Sequence, residues 1–338
     1  MIVLGIETSC DETSAAVVVD GALKSNIISS QFVHVKYGGV VPELASRAHQ
    51  QLIVPVVEEA LRTAGVEKSQ LGGIAVTYGP GLAGALLVGL NFAKALAYAL
   101  KVPYVGVHHM EAHIFANFIE QPVPQFPFLC LIVSGGHTQL VLVRDFFDRE
   151  LIGETLDDAA GEAYDKVAKM LGLGFPGGPA VDKLAAGGNA AFVEFPRSFL
   201  NGKEFDFSFS GIKTSVLYWL RDYQRSNPGV SFAQQPGLLC DLCASFQAAV
   251  VDVLVEKTFR AASQLGVREL AIAGGVSANS ELRKRMNALA GERGYRLTIP
   301  KAEYCTDNGA MIALTGYLRL KSGVSSDNEL NAVPNLAL

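Results

Sequence analysis

Apolar positions along the chain recur with two spacings, alternate and helical, and the order in which these spacings follow one another occurs twice. Ile2 to Thr8 reads as a strand, "CDETS" as a turn, Ala15 to Val19 as a second strand and Leu23 to Ser29 as a third. Pro42 to Ala64 carries helical spacing with a proline in its first turn, where a backbone N–H would have no helical partner. Strand Gly73 to Thr77, a "GPG" turn, helix Gly84 to Leu100 and strand Tyr104 to Val107 follow. From Phe128 the series restarts: strand Phe128 to Val133, the turn "SGGHT", strand Gln139 to Arg144 and a third strand ending at Leu151 to Gly153. Helical segments from Asp158, strand Glu269 to Ala273, a "GG" turn, helix Ser277 to Arg293 and a short strand near Arg296 to Ile299 complete it. Both halves therefore read βββαβαβ.

A duplicated βββαβαβ unit is the ribonuclease-H-like lobe of the actin, sugar kinase and Hsp70 superfamily, so the expected fold is α/β with two such lobes facing across a cleft. The expected N-terminal lobe is 1–120 and the C-terminal lobe 126–305, with a helix at about 308–325 free to pack back onto the first. Ligands of such sheets collect outside the strand ends. The turns "CDET" and "SGGHT" then occupy equivalent places.

His109 and His113 stand four residues apart in "VHHMEAHIF", and positions i and i+4 share one helical face, so both imidazoles can reach one ion. The turn "CTDN" at Cys305 to Asn308 precedes another apolar helical run and offers Asp307 as a carboxylate that completes a triad with open positions. Alone, the histidine pair fits equally well two polar residues at a helix start. A zinc peptidase is the rival outline of "HMEAH". It fails on position, because the zincin glutamate directly follows the first histidine, whereas Glu111 is two residues on, about 200° round the helix. "HHMEAH" follows the last strand of the first repeat and "CTDN" the last of the second. That symmetry predicts metal ligands on opposite walls of one cleft.

Composition narrows the class. A chain of 338 residues, 49% hydrophobic and 18% charged, suffices for two packed domains and is too balanced for disorder. The N-terminus has no basic leader and its apolar run breaks at Glu7, while "LAGALLVGLNFAKALAYAL", interrupted by Lys94 and glycines, suits a buried helix better than a membrane span. Five scattered cysteines do not form a disulfide framework and agree with a reducing cytoplasm. Cys240 and Cys243 form a C-x-x-C without a second pair and read as helix packing. A formal charge of −5 gives nucleic-acid binding no support from net charge. The local clusters Arg283 to Arg285 and Lys166, Lys169, Lys203 and Lys213 fit solvated faces as well as a patch.

The Gly-rich turns bear on nucleotide chemistry. In "VSGGHTQL" two glycines let backbone N–H groups approach a phosphate beside Ser134 and Thr138, although Gly-Gly also makes an ordinary hairpin. In "IAGGVSANSELR" Ser277 is the expected cap of a helix with Asn279 near its start. Asp165 and Asp182 flank a third Gly-Gly turn, and carboxylates there suit ribose hydroxyls.

The segments "GIETSCDET", "YGGVVPELASRAH", "GPGLAGALLVG", "HHMEAH", "VSGGHTQL", "GEAYDKVAKMLGL", "PGGPAVDKLA", "FDFSFSGIKT", "AGGVSANSELR" and "CTDNGAMIA" together resemble the tRNA adenosine threonylcarbamoyltransferase family (TsaD in bacteria, the Kae/Qri7 branch elsewhere), formerly labelled O-sialoglycoprotein endopeptidase. The resemblance runs in order from about Gly5 to Ala313. It implies transfer of a threonylcarbamoyl group from threonylcarbamoyl-adenylate to N6 of adenosine 37 in tRNAs reading codons that begin with A. It also implies that His109, His113 and Asp307 hold one divalent metal, iron ahead of zinc. Ile132, Val133, Ser134, Gly135, Gly136, Asp165, Gly178, Asp182 and Asn279 would then hold the adenylate, with Asp11 and Glu12 near the reacting carbonyl. Implied partners are tRNA, a TsaB-like paralogue and a TsaE-like ATPase, with a TsaC-like enzyme supplying the adenylate. No membrane is implied. The apolar helix Pro42 to Ala64 is the expected paralogue contact. One departure stands out: family members often finish with a basic, Trp-containing tail, whereas this chain ends "SSDNELNAVPNLAL" and its only tryptophan is Trp219.

Overall fold

Strand β1 (Ile2–Glu7) is apolar at nearly every position because both of its faces are covered. The computed structural model describes residues 1–198, 205–229 and 235–338. Two units divide the chain: Met1–Val123 with Pro300–Leu338, and Pro124–Ile299. After β1 the first unit runs through β2 (Glu12–Val19), β3 (Ala22–Ser30), α1 (Pro42–Ala64), β4 (Gly73–Gly79), α2 (Ala83–Leu100), β5 (Tyr104–His108) and α3 (His109–Phe115). The second comprises β6 (Phe128–Val133), β7 (Thr138–Val143), β8 (Arg149–Glu154), α4 (Ala160–Met170), α5 (Gly177–Ala185), α6 (Ser210–Ser226), α7 (Pro236–Gln264), β9 (Glu269–Ala273), α8 (Ser280–Arg293) and β10 (Arg296–Thr298). The chain then returns to the first unit as α9 (Gly309–Lys321).

The two sheets share one topology: β3-β2-β1-β4-β5 in the first unit and β8-β7-β6-β9-β10 in the second. In each, an antiparallel hairpin is extended by parallel strands, β4 beside β1 and β9 beside β6. The duplicated α/β pattern is therefore present in both.

In the first unit, Leu4 and Ile6 pack with residues of α1 and α2, while Val3 packs with α9, following the alternation of side chains along a strand. Helix α9 lies very close to the sheet. A Cβ at Gly5 would stand 2.3 Å from the backbone N of Ala313, one at Gly309 2.6 Å from the backbone of Ala15, and one at Gly316 2.1 Å from the Ala75 Cβ. The start of α9 is tied down as well: Ser14 Oγ accepts from Gly309 N (2.7 Å), Asn26 Oδ1 from Ala310 N (3.2 Å) and Asn308 Oδ1 from Met311 N (3.0 Å). These bonds occupy N–H groups that have no partner inside the helix.

The atypical tail lies along the same unit. Ser326 N donates to Tyr104 O, Val333 N to Tyr78 O, and Gly81 N to Pro334 O. Helices α2 and α7 are both long and apolar enough to cross a membrane, whereas the sequence pattern singles out only the first; in α7, 67% of the most apolar stretch is buried in the protein. The basic clusters are largely paired. Lys166 and Lys213 converge on Asp158, Arg285 joins Arg197 on Asp252, and Lys284 faces Glu281, while Lys203 lies outside the described residues.

Because the atoms opposing Gly5 are helix backbone, no side-chain rotation relieves the overlap. Gly5→Ala is expected to destabilise the protein by about 3 kcal/mol, the upper part of the usual range for overpacking. A denaturant midpoint unchanged from wild type would show that α9 shifts freely.

Candidate functional site

Helix α3 begins where β5 ends, and its first turn is fixed by the residue before it. His108 Nδ1 accepts from the backbone N–H of Met110 at 3.1 Å, and its Nε2 donates to the carbonyl of Ala337 at 3.1 Å. The sequence reading passes over His108. One turn of helix then places His109 and His113 on one face, both buried, with ring centroids 4.6 Å apart and planes at 86°. Asp307 arrives with α9. Its Oδ1 lies 3.2 Å from His113 Nε2 and 3.4 Å from His109 Nε2, and the two Nε2 atoms are 3.2 Å apart.

The ligand atoms of His109, His113 and Asp307 all lie within 4.8 Å of one another, which suits a single metal ion. The source of Asp307 differs from expectation. The duplicated order predicts ligands on opposite walls, but all three residues belong to the first unit. The reason is the return at Pro300: the chain has left the second unit before "CTDN" forms, and α9 carries Asp307 onto the sheet that supports α3. Glu111 turns away from the cluster and is paired with Arg319 of α9, so it offers no base beside an ion.

Buried charge surrounds the histidines. Glu7 closes β1 and is wholly inaccessible, with Nδ1 of His109 at 3.2 Å on the side of the ring away from Asp307. The sequence reading treats Glu7 only as the end of an apolar run. A charged residue at the end of a strand covered on both faces was the available signal. Burial pushes the pKa of His109 down, but Asp307 and Glu7 together raise it well above the ordinary value. Burial lowers that of His113. Burial would raise Asp307, yet the neighbouring imidazoles, His109 first, hold its carboxyl far below the usual range. In the metal-free protein one proton on His109 thus balances buried carboxylates where a cation would do so.

Asp11 and Glu12 lie at the β1–β2 hairpin, both half-buried. Burial, then Asp307 and Asp11, push Glu12 up to about 9, so near neutrality the metal-free protein keeps it protonated. The thiol of Cys10 is pushed up by burial and by Asp11, which disfavours the thiolate.

The proposed adenylate residues all lie in the second unit. Ile132 and Val133 end β6, and the turn after them closes through Ser134 N to His137 O (2.8 Å) and His137 N to Ser134 Oγ (3.1 Å). Helix α4 abuts this turn, because Gly161 N donates to Ser134 O and a Cβ there would meet that oxygen at 2.5 Å. Asp165 Oδ1 accepts from Gly177 N at 2.7 Å. Asp182 accepts from Ser280 N, Ser280 Oγ, Asn279 Nδ2 and Gln247 Nε2, so it holds the start of α8. Asn279, not Ser277, caps α8: its Oδ1 accepts from Leu282 N, while Ser277 is buried in the preceding turn. Built Cβ atoms at Gly135, Gly136 and Gly178 meet nothing within 4 Å, and none of the three has a left-handed φ. Among the described residues neither crowding nor backbone conformation requires glycine at these positions, and the same holds at Gly237, Gly275 and Gly291.

The family model for TsaD, described as tRNA N6-adenosine threonylcarbamoyltransferase, matches residues 22–314. The chain belongs to this family. It is 54% identical over 339 residues to the tRNA N6-adenosine threonylcarbamoyltransferase of Salinibacter ruber and 50% identical to that of Thermosipho africanus, in each case over 100% of both chains. Among solved structures, full-length HypF in a phosphate- and nucleotide-bound form superposes with a TM-score of 0.60 at 14% identity. The match covers 96% of this chain and 56% of that one, and at this identity the likeness is one of fold. The TsaD family and this structural neighbour agree with the two-lobed actin-like architecture.

Since His109 is protonated near neutrality, an ion that takes Nε2 must displace that proton. Zinc affinity is expected to rise with pH through neutrality, because the raised His109 proton must leave as the ion binds. Titrations at stepped pH check this, and a flat profile would mean that His109 is already neutral.

Proposed function

We propose that this protein transfers the threonylcarbamoyl group of threonylcarbamoyl-AMP to N6 of adenosine 37 in tRNAs reading ANN codons, releasing AMP. The observation that carries the reading is the cluster of buried His109 and His113 with half-buried Asp307 in a chain half-identical, end to end, to named transferases. In the reaction the N6 amine forms a bond to the carbamoyl carbon, and the bond from that carbon to the phosphate oxygen breaks. AMP leaves with the electron pair, and the amine gives up a proton.

A divalent cation held by His109, His113 and Asp307, a donor set that suits iron or zinc, with iron favoured by the family resemblance, would supply charge stabilisation for the carbonyl oxygen and the departing phosphate. The chain's own groups do the rest. Backbone N–H groups of Gly135 and Gly136 receive the phosphate, with Ile132, Val133 and Ser134 shaping that turn. Asp165, Gly178, Asp182 and Asn279 receive the adenosine part. Asp11 or Glu12, at the hairpin turn, accepts the proton from the amine.

We place the enzyme in the cytoplasm, working with tRNA, a TsaB-like paralogue and a TsaE-like ATPase, and supplied with adenylate by a TsaC-like enzyme. The paralogue docks on the outer face of α1, where Val54 is exposed. Val54→Asp is expected to abolish co-elution with the paralogue in gel filtration. An intact complex would move the contact elsewhere.

Elemental analysis beside transfer to unmodified tRNA, with partners, ATP, threonine and bicarbonate present, tests the central reading. Wild type should carry about one metal per chain, and His109→Ala/His113→Ala should lose metal and transfer together. In the same assay Asp11→Asn should lower turnover while adenylate binding stays near wild type. A metal-free double variant that still transfers would sink the metal-dependent mechanism.

A further inference from the structure

We infer that Glu7 is a positioning residue of the candidate metal centre: its carboxylate keeps the proton of His109 on Nδ1, so that Nε2 is the nitrogen offered to the ion. The inference rests on the metal reading above. An ionised carboxylate is buried at large cost unless its oxygens are paired, and here each oxygen has a donor. Oε1 accepts from the backbone N–H of Ser9 at 2.5 Å, and Oε2 from the hydroxyl of Thr77, on neighbouring strand β4, at 2.5 Å. The remaining neighbour of Oε2 is Nδ1 of His109 at 3.2 Å.

A carboxylate has no hydrogen to give, so the ring nitrogen facing it must carry one. Ser9 Oγ also lies 3.2 Å from Nδ1 and can share that hydrogen as a second acceptor. On the other side of the ring Nε2 faces His113 and Asp307. Glu7 is separated from that side by the imidazole and falls outside the metal-competent group found among the described residues. It therefore acts through His109. His113 has no such support, because its buried Nδ1 has no hydrogen-bond partner among the described residues. The better-held and more basic ligand is His109.

A purely structural role, in which Glu7 only closes the turn at Ser9 and ties β1 to β4, makes a different forecast for the isosteric amide. In Glu7→Gln the side-chain NH2 must face either Ser9 N–H or the pair formed by Thr77 and His109. The first opposes two donors. The second drives the His109 proton to Nε2, the nitrogen an ion needs.

The test is zinc uptake by the full chain, measured by chelator competition, together with nitrogen-15 histidine NMR of the zinc-loaded protein. Wild type should show the His109 proton on Nδ1, and Glu7→Gln should bind zinc roughly 10- to 100-fold more weakly. Thr77→Val keeps the carboxylate and removes the donor that competes with Nδ1 for Oε2; it should leave the His109 proton on Nδ1 and bind zinc at least as tightly as wild type, whereas a purely structural role forecasts weaker binding, and it carries the test if the amide variant does not fold. Wild-type affinity in folded Glu7→Gln, weakened binding in folded Thr77→Val, or ligation of zinc through Nδ1 of His109, would overturn the assignment. A wild-type chain that takes up no zinc would remove the metal reading itself, and the inference with it.

Discussion

A helix from the far end of the sequence lies so close to the first sheet that Gly5, Gly309 and Gly316 have no room for side chains. That contact organises the rest of the first unit. It brings Asp307, beside the start of α9, within hydrogen-bonding distance of a histidine 194 residues earlier in the chain. It also supplies Arg319 as partner for Glu111, which removes the one carboxylate of "HMEAH" from the cluster. The glycines allow the approach, and Ser14, Asn26 and Asn308 fix its register by receiving the first N–H groups of α9. Close packing without such anchors would leave the helix free to slide, and a ligand set at its end would slide with it.

Electrostatics follow from that packing. Glu7 and Asp307 are brought to opposite sides of one imidazole, and neither burial nor distance permits two unbalanced negative charges there. A proton on His109 is one solution and a divalent cation would be another. The same negative surroundings keep Glu12 protonated and Cys10 a thiol. A bound cation would relax both by neutralising Asp307.

The second unit solves a different problem with the same topology. Its turns are joined to one another: Gly161 meets Ser134, Gly274 stands against Val133, Asp165 holds Gly177, and Asp182 holds Ser280. Side chains that resemblance assigns to adenosine carry this framework. Open glycines at 135, 136 and 178 leave backbone exposed on a frame that is otherwise tightly tied.

Local chemistry was enough to write the element order. Strand and helix periods, Pro at the start of α1 and the turns at "GPG", "SGGHT" and "GG" depend on residues a few positions apart, and β6, β9 and α1 fall where those patterns place them. The convergence of His109 and His113 is equally local, since 3.6 residues per turn puts i and i+4 on one face. What only the tertiary structure decided is non-local. Ser277 and Asn279 are both good caps by composition, and Asn279 caps α8 while the turn before it buries Ser277. Asp307 belongs to the second repeat by sequence symmetry and to the first unit by packing. Glu7 reads as the end of an apolar strand until Thr77 and His109, 70 and 102 residues away, are folded against it. Sequence determines what each segment prefers, because propensity and period act over one or two turns; which charges must share a buried volume is settled only when distant segments exclude water together.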